Sequence, residues 1–389
     1  MAHVVDTQLL DRLRRYGAFD VSACFNCGNC TAVCPLSEDD VNFPRRLIRF
    51  GQVGMEDRLL ASRELWLCYY CGECSQTCPR QADPGQYMAA ARRYAISRYD
   101  PTGISRVMYG SWAGTLAVFV LLSAFFAIWL LWHKGDMNGQ RMAFFDYIPG
   151  ELIHDTGIAV FVIIGIVLAA GIVSVVRHVL GAARAAGGDV KLPVAVLPQA
   201  LGYTIRESLA QFRYRKCDDA DEPEPWYLRP WLVHLAILWG FLGLLAATTW
   251  DFLFKPIGSD VSLLYPGRLI GTVAGLAALY GLAVALWRRL TKPTPYYADT
   301  RFSDWFFLVL MLATVLTGFA SELFVYLPRP SAVAYVTTLV HVVLAIDLIV
   351  LLPITKFAHA IYRPLALLLH RWAELGERAA AATPAAEKA

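Results

Sequence analysis

Charge is scarce in this sequence. Asp, Glu, Lys and Arg make up only 17% of the 389 residues, against a hydrophobic share of 57%. A soluble globular chain carries about 25% charged residues, so the scarcity excludes a wholly soluble protein and points to several membrane passes. A net charge of +3 provides no basic field of the kind nucleic acid requires, so no nucleic-acid partner is expected. Cysteine is nearly missing as well, except in one place: eight of the nine lie within residues 24–78. The opening stretch "MAHVVDTQLLDRLRRYGAFD" lacks the apolar core of a secretion signal. The cysteine-rich region is therefore expected to stay in the cytoplasm, where disulfides are disfavoured and metal ligation is the stronger reading.

Residues 1–100 read as a soluble domain. A first helix is expected from Asp6, an N-cap, to Gly17, a stop. A second helical stretch, "NFPRRLIRFGQVGMEDRLLAS", is interrupted at Gly51 and Gly54, and "DPTG" at 100–103 marks a turn and a boundary. Six apolar segments follow, near 107–133, 152–178, 230–254, 267–288, 303–327 and 333–361, each long enough to cross a bilayer as helix. The expected inner loops, 177–229 and 288–302, carry twelve Lys and Arg, and the outer loops carry five. That bias predicts a multi-pass inner-membrane protein with both termini cytoplasmic. The membrane domain is expected over 101–372, and the Ala-rich tail 373–389 is expected to be disordered.

The cysteines form two runs. "CFNCGNCTAVCP" holds Cys24, Cys27, Cys30 and Cys34, and "CYYCGECSQTCP" holds Cys68, Cys71, Cys74 and Cys78. Both fit C-x2-C-x2-C-x3-C-P, the two-cluster ferredoxin spacing in which the fourth cysteine of each run ligates the other cluster. By that rule one 4Fe-4S cluster takes Cys24, Cys27, Cys30 and Cys78, and the other takes Cys34, Cys68, Cys71 and Cys74. Zinc favours paired C-x2-C spacings with four ligands per ion and does not explain two complete runs each ending in proline. Cys217, alone in "RYRKCDDADEPEP", reads as an ordinary thiol.

"HVVLAIDLIVLLPITKFAH" begins at His341 and ends at His359. In one unbroken helix, eighteen residues make five turns and place both imidazoles on one face, about 27 Å apart. Two axial ligand positions stacked across a bilayer suit two haems b. His234, one turn into the third span, matches His359 in depth and completes the inner site; His178, beside Arg177, is the alternative there. His154, at the outer start of the second span, is the candidate partner of His341, whereas His133 reads as interfacial. Carboxylates inside a membrane are costly and often functional. Asp347 and Glu322 are candidates for quinone-coupled proton transfer; Asp251 and Glu322 also read as solvated interface residues.

These residues resemble known families. H-x11-P-x-T-K-x-x-H is similar to the last haem-ligating helix of the nitrate reductase gamma subunit family of cytochromes b. "HLAILWGFLGLLAATT" resembles the ligand helix of the membrane component of heterodisulfide reductase. The amino-terminal domain, with "NFPRRLIRFG" and "CPRQADPGQYMAAARR", resembles the C subunits of heterodisulfide reductases. One chain combining both halves resembles the C subunits of quinone-interacting membrane-bound oxidoreductases. The resemblance implies a mainly α protein: a two-cluster ferredoxin-like domain followed by a six-helix transmembrane cytochrome b bundle. It implies two 4Fe-4S clusters, two haems b, menaquinone as substrate, and flavoprotein partners similar to the A subunits of heterodisulfide reductases. It also implies electron exchange with adenylylsulfate reductase in sulfur metabolism. The nitrate reductase gamma pattern has a second histidine ten residues after the inner ligand, and Leu244 stands there in this chain. The outer haem therefore recruits His154 or is absent.

The expected function is that of an electron-transfer protein joining quinol, haem and clusters to a soluble flavoprotein within an oxidoreductase complex, the redox chemistry belonging to the cofactors. Two rivals remain: a membrane component linked to a heterodisulfide or sulfite reductase, and a non-catalytic zinc-stabilised membrane scaffold.

Overall fold

The computed structural model describes residues 5–37, 43–135, 147–185, 192–218, 225–255, 262, 264–292, 297, 300–327 and 331–386. No strand occurs among the described residues, and the chain is an array of helices. Of the basic loop residues, Arg141, Lys191 and Arg329 lie outside the described residues.

Among the described residues, the amino-terminal part packs seven helices: α1 (Leu9–Arg15), α2 (Asn29–Ala32), α3 (Arg45–Gln52), α4 (Glu56–Leu60), α5 (Glu64–Leu67), α6 (Glu73–Gln76) and α7 (Pro84–Tyr99). The expected first helix is present but shorter: Gln8 rather than Asp6 is its N-cap, although Asp6 accepts from the Gln8 amide at 2.9 Å, and Gly17 follows the helix at φ 121°. Gly54, at φ 75°, separates α3 from α4, whereas Gly51 stays inside α3. Asp83 caps α7 by accepting from the Gln86 amide at 3.1 Å, and Pro84 opens the helix without an unsatisfied donor. At the expected turn, Asp100 accepts from the amides of Thr102 at 2.8 Å and Ser105 at 2.9 Å.

A short helix, α8 (Ile104–Gly110), leads into the first span, α9 (Trp112–Trp132). The first apolar segment, expected to be one helix over 107–133, is divided at Ser111. The backbone of Ser111 is extended, and its side chain caps α9 by accepting from the Gly114 amide. The second span is α10 (Gly150–Ala185). Two helices of the following loop are α11 (Leu197–Ala210) and α12 (Phe212–Asp218). Spans three, four and five are α13 (Pro230–Phe254), α14 (Pro266–Thr291) and α15 (Phe302–Val325), close to expectation. Small residues let α13 and α14 approach closely: a Cβ on Gly240 would meet the Ala278 nitrogen at 2.6 Å, and one on Gly281 the Val233 oxygen at 2.8 Å.

The sixth span differs more. Its expected course runs unbroken over 333–361, but α16 (Ala332–Val350) stops short. Pro353 has no amide proton to continue a helical ladder, and Thr355 caps a 3-10 turn over Lys356–Ala358. A new helix, α17 (His359–Ala386), begins at His359 itself. His341 and His359 therefore do not share one helix face. The tail expected to be disordered over 373–389 is instead the continuation of α17 as far as Ala386, in keeping with the high helix propensity of alanine. Residues 387–389 lie outside the described residues.

Among the described residues, six helices are long and apolar enough to cross a membrane. They leave large apolar side chains such as Leu121, Phe125, Ile166 and Val273 uncovered, as lipid-facing surfaces do. The two parts of the chain share one core. Leu13, Tyr87 and Tyr99 of the cysteine domain pack in the same cluster as Val175, Tyr214, Tyr362 and Leu367.

Candidate metal centres

The two cysteine runs adopt the same backbone. Asn26 and Tyr70 both have φ 63°, and Gly28 and Gly72, at φ 93° and 95°, open α2 and α6. These positions curl each run so that its sulfurs converge. Each run's fourth cysteine lies near the first three of the other run. Cys34, Cys68, Cys71 and Cys74 line one cavity with Tyr69 and Met88. Cys78 lies in the electrostatic neighbourhood of Cys30, together with Cys24 and Cys27. Backbone amides point at the sulfurs: Tyr70 donates to Cys68 Sγ at 3.3 Å and Ala82 to Cys78 Sγ at 3.4 Å. Burial pushes the thiols of Cys30 and Cys34 up to about 11, so loading a metal there must displace protons.

Among the described residues, no three His, Cys, Asp or Glu side chains converge tightly enough to hold a single metal ion. A zinc ion needs its thiolates about 2.3 Å from one point. Four cysteines set around a cavity fit a larger polynuclear cluster better.

Cys217 is not an isolated thiol. It is buried on α12, in the core against which Cys34, Cys68 and Cys71 pack. The same helix presents Tyr214, whose ring stacks on Tyr69 with centroids 4.6 Å apart and planes 5° from parallel. Tyr69 is held from three sides. Its hydroxyl donates to Glu207 Oε1 at 2.6 Å, Arg363 lies 3.6 Å over its ring, and Arg363 also donates to the Trp66 carbonyl at 2.6 Å. Sequence reasoning missed these residues. They come from three distant stretches, and no spacing rule connects them; only the aromatic and basic density of "QFRYRKC" set that loop apart.

The structure brings His234 and His359 together. Their ring centroids are 6.1 Å apart, with planes inclined at 58°. Two imidazole nitrogens each about 2 Å from a shared metal place the ring centroids roughly 6 Å apart. The Nδ1 atoms are already engaged, His234 with Gln211 Oε1 at 2.9 Å and His359 with the Lys356 carbonyl at 2.6 Å. Each Nε2 is thereby the nitrogen left available to a metal, since outer partners on the other ring nitrogen fix a metal-binding tautomer. Gln211 was not foreseen; it occupies the left-handed region at φ 52°, where α11 ends and α12 begins. This pair fits an axially ligated haem.

His154 and His341 do not form a second pair. His154 stacks on Phe252, with centroids 4.2 Å apart. His341 faces α15 instead: its Nδ1 lies 3.0 Å from the Thr314 carbonyl and 3.2 Å from Thr317 Oγ1, and a Cβ on Gly318 would meet its ring at 2.9 Å. These contacts tie His154 to α13 and His341 to α15. His178 packs against Tyr99, with centroids 5.6 Å apart, and bonds the Ser174 carbonyl; His133 is exposed and bonds the Trp129 carbonyl.

The carboxylates separate clearly. Asp347 is fully buried; Ser123 donates to its Oδ2, and its Oδ1 has no partner. Asp251 Oδ1 is also buried without a partner. Glu322 accepts from Tyr326 at 2.9 Å, lies 3.6 Å from Arg268 and has a 38% exposed side chain, which suits a solvated ion pair rather than a buried proton carrier.

Comparison with known proteins gives two separate family matches. Residues 20–82 match the family model described as a 4Fe-4S dicluster domain, so the cysteine domain is an iron–sulfur domain. Residues 108–383 match the model described as citrate utilization protein B, which covers more than half of the chain. The chain belongs to the citrate utilization protein B family. This family member is also 30% identical over 63 residues to the C subunit of the H(2):CoB-CoM heterodisulfide,ferredoxin reductase of Methanothermobacter thermautotrophicus and to that of Methanothermobacter marburgensis. The match takes in 16% of this chain and 34% of each relative, so the chain spans about a third of their length. No solved structure matches it. The cysteine domain of this citrate utilization protein B family member is thus similar to part of those subunits, and six apolar helices accompany it among the described residues.

Proposed function

We propose that the protein is the membrane component of a quinone oxidoreductase, moving electrons between a quinol, a haem b and two 4Fe-4S clusters toward a soluble partner. The observation that carries this reading is the His234–His359 pair, with both Nδ1 atoms bonded and 6.1 Å between ring centroids. The haem would supply one-electron chemistry between a two-electron quinol and the one-electron clusters. This chain's own part is to orient the two imidazoles through Gln211 and the Lys356 carbonyl, and to hold the clusters close. Cys24, Cys27, Cys30 and Cys78 would hold one cluster, and Cys34, Cys68, Cys71 and Cys74 the other. Asp347, buried with a free carboxyl oxygen, suits proton transfer to or from the quinone.

The functional units are residues 1–100 and 101–372, in an inner membrane with both termini cytoplasmic, a reading supported by the excess of Lys and Arg in two of the loops. The partner class is a flavoprotein similar to the A subunits of heterodisulfide reductases. Adenylylsulfate reductase as the terminal partner rests on the sequence resemblance alone. The family description favours a second reading, in which the soluble partner works on a tricarboxylate such as citrate. A visible spectrum tests the core claim. The purified protein should show haem b bands over broad iron–sulfur absorption, and a menaquinol analogue should reduce the haem. A colourless protein would leave the zinc-stabilised scaffold in its place.

A further inference from the structure

The two clusters are not equivalent toward the histidine pair. Tyr69 lies between Cys68 and Cys71 in sequence, and its ring stacks on Tyr214 at 4.6 Å. Tyr214 in turn sets its ring edge against His234, with centroids 5.8 Å apart and planes at 79°. His234 meets His359 at 6.1 Å. An unbroken line of aromatic contacts thus runs from the second cysteine run to the imidazole pair. Two independent contacts hold α12 on that line. Cys217, at one end of the helix, is buried in the core against which Cys34, Cys68 and Cys71 pack, and Gln211, directly before the helix, bonds His234 at the other. On the first run, Cys27 is exposed and the neighbouring Phe25 is 61% accessible, whereas no cysteine of the second run is exposed.

We infer that α12 is a coupling helix: Tyr214 bridges the second-run cluster to the His234–His359 site, and the Cys217 thiol donates a hydrogen bond to a sulfur of that cluster without ligating it. The cluster of Cys34, Cys68, Cys71 and Cys74 is then the membrane-facing one, and the cluster of Cys24, Cys27, Cys30 and Cys78 faces the soluble partner. The inference rests on the proposed haem site for its direction, but its cluster-side half stands without it. One electron at a time passes along this line, with no bond made or broken. Tyr214 and Cys217 are positioning residues. A hydrogen bond to a cluster sulfur stabilises the added negative charge of the reduced state and so raises its potential.

The experiment is an EPR-monitored redox titration of the full-length protein in detergent, comparing wild type with Cys217→Ala and Cys217→Ser. Cys217→Ala should move the second-run cluster to a lower potential and leave the first-run cluster where it was. Cys217→Ser retains a donor and should shift it less. Loss of the second-run signal would make Cys217 a ligand, and a shift of the first-run cluster, or of neither, would overturn the assignment. Rapid freezing after addition of a menaquinol analogue tests the bridge. Tyr214→Leu should slow cluster reduction with haem and cluster spectra unchanged, and Tyr214→Phe, which keeps the ring, should not. Equal rates in wild type and Tyr214→Leu would remove Tyr214 from the route. A protein without haem bands would refute the proposed function instead, and the Cys217 titration would still decide the cluster-side half.

Discussion

Arg93 donates to Asp304 across 3.0 Å, tying the helix that follows the second cysteine run to the first turn of the fifth span. Lys356 reaches the other carboxyl oxygen of Asp304 at 2.8 Å, from the segment that separates His341 from His359. One buried carboxylate thus joins the iron–sulfur domain, the bundle and the turn that presents His359.

Asp304→Asn should loosen all three together. Removing one partner of a buried ion pair costs about 3–5 kcal/mol, because the charges left behind remain buried and uncompensated. The expected outcome is a cysteine domain that becomes sensitive to protease in the intact protein. If thermal stability and proteolysis matched wild type, the network would be dispensable.

Cys34→Ala should damage the cluster held by Cys68, Cys71 and Cys74, because Cys34 lines their cavity rather than that of its own run. EPR of the reduced variant reads this directly. Loss of the signal belonging to Cys24, Cys27 and Cys30 would reverse the crossover.

The histidines should separate in a haem assay. His359→Ala should abolish the haem that His234 shares, and quinol should no longer reduce the clusters. His341→Ala should leave that haem in place, since His341 is bound to Thr314 and Thr317 on another helix. A wild-type content of two haems per chain would assign the second to His341 and His154.

Acid should undock the last helix. Arg63 of the cysteine domain bonds His370 on α17, and burial, with the charges of Arg63, Arg213 and Arg371, lowers this histidine from its ordinary 6.5 to about 3. Between those two values the undocked form holds a proton that the docked form lacks. The docked form therefore keeps its full stability above 6.5 and loses it progressively as pH falls toward 3. Hydrogen exchange in α5 and α17 should rise on acidification, and His370→Gln should flatten that response. A response unchanged in His370→Gln would place the sensitivity elsewhere.

Much of this protein is local and was legible in one dimension. The cysteine spacing announces cluster chemistry because short loops around a cubane permit few alternatives, and an apolar run of twenty residues has little choice but helix. The spans at 230–254 and 303–327 fall within two residues of α13 and α15 at each end for that reason. The break at Pro353 was written in the same sequence, but the apolar residues on both sides of it concealed the loss of a ladder bond. What only the tertiary structure decided is which distant groups meet. Gln211 faces His234, Tyr214 stacks on Tyr69, and Cys217 is buried in the core beside the second run because a loop more than 120 residues after that run folds back against it. Such contacts depend on the packing of whole helices against one another, and no period or spacing along the chain encodes them.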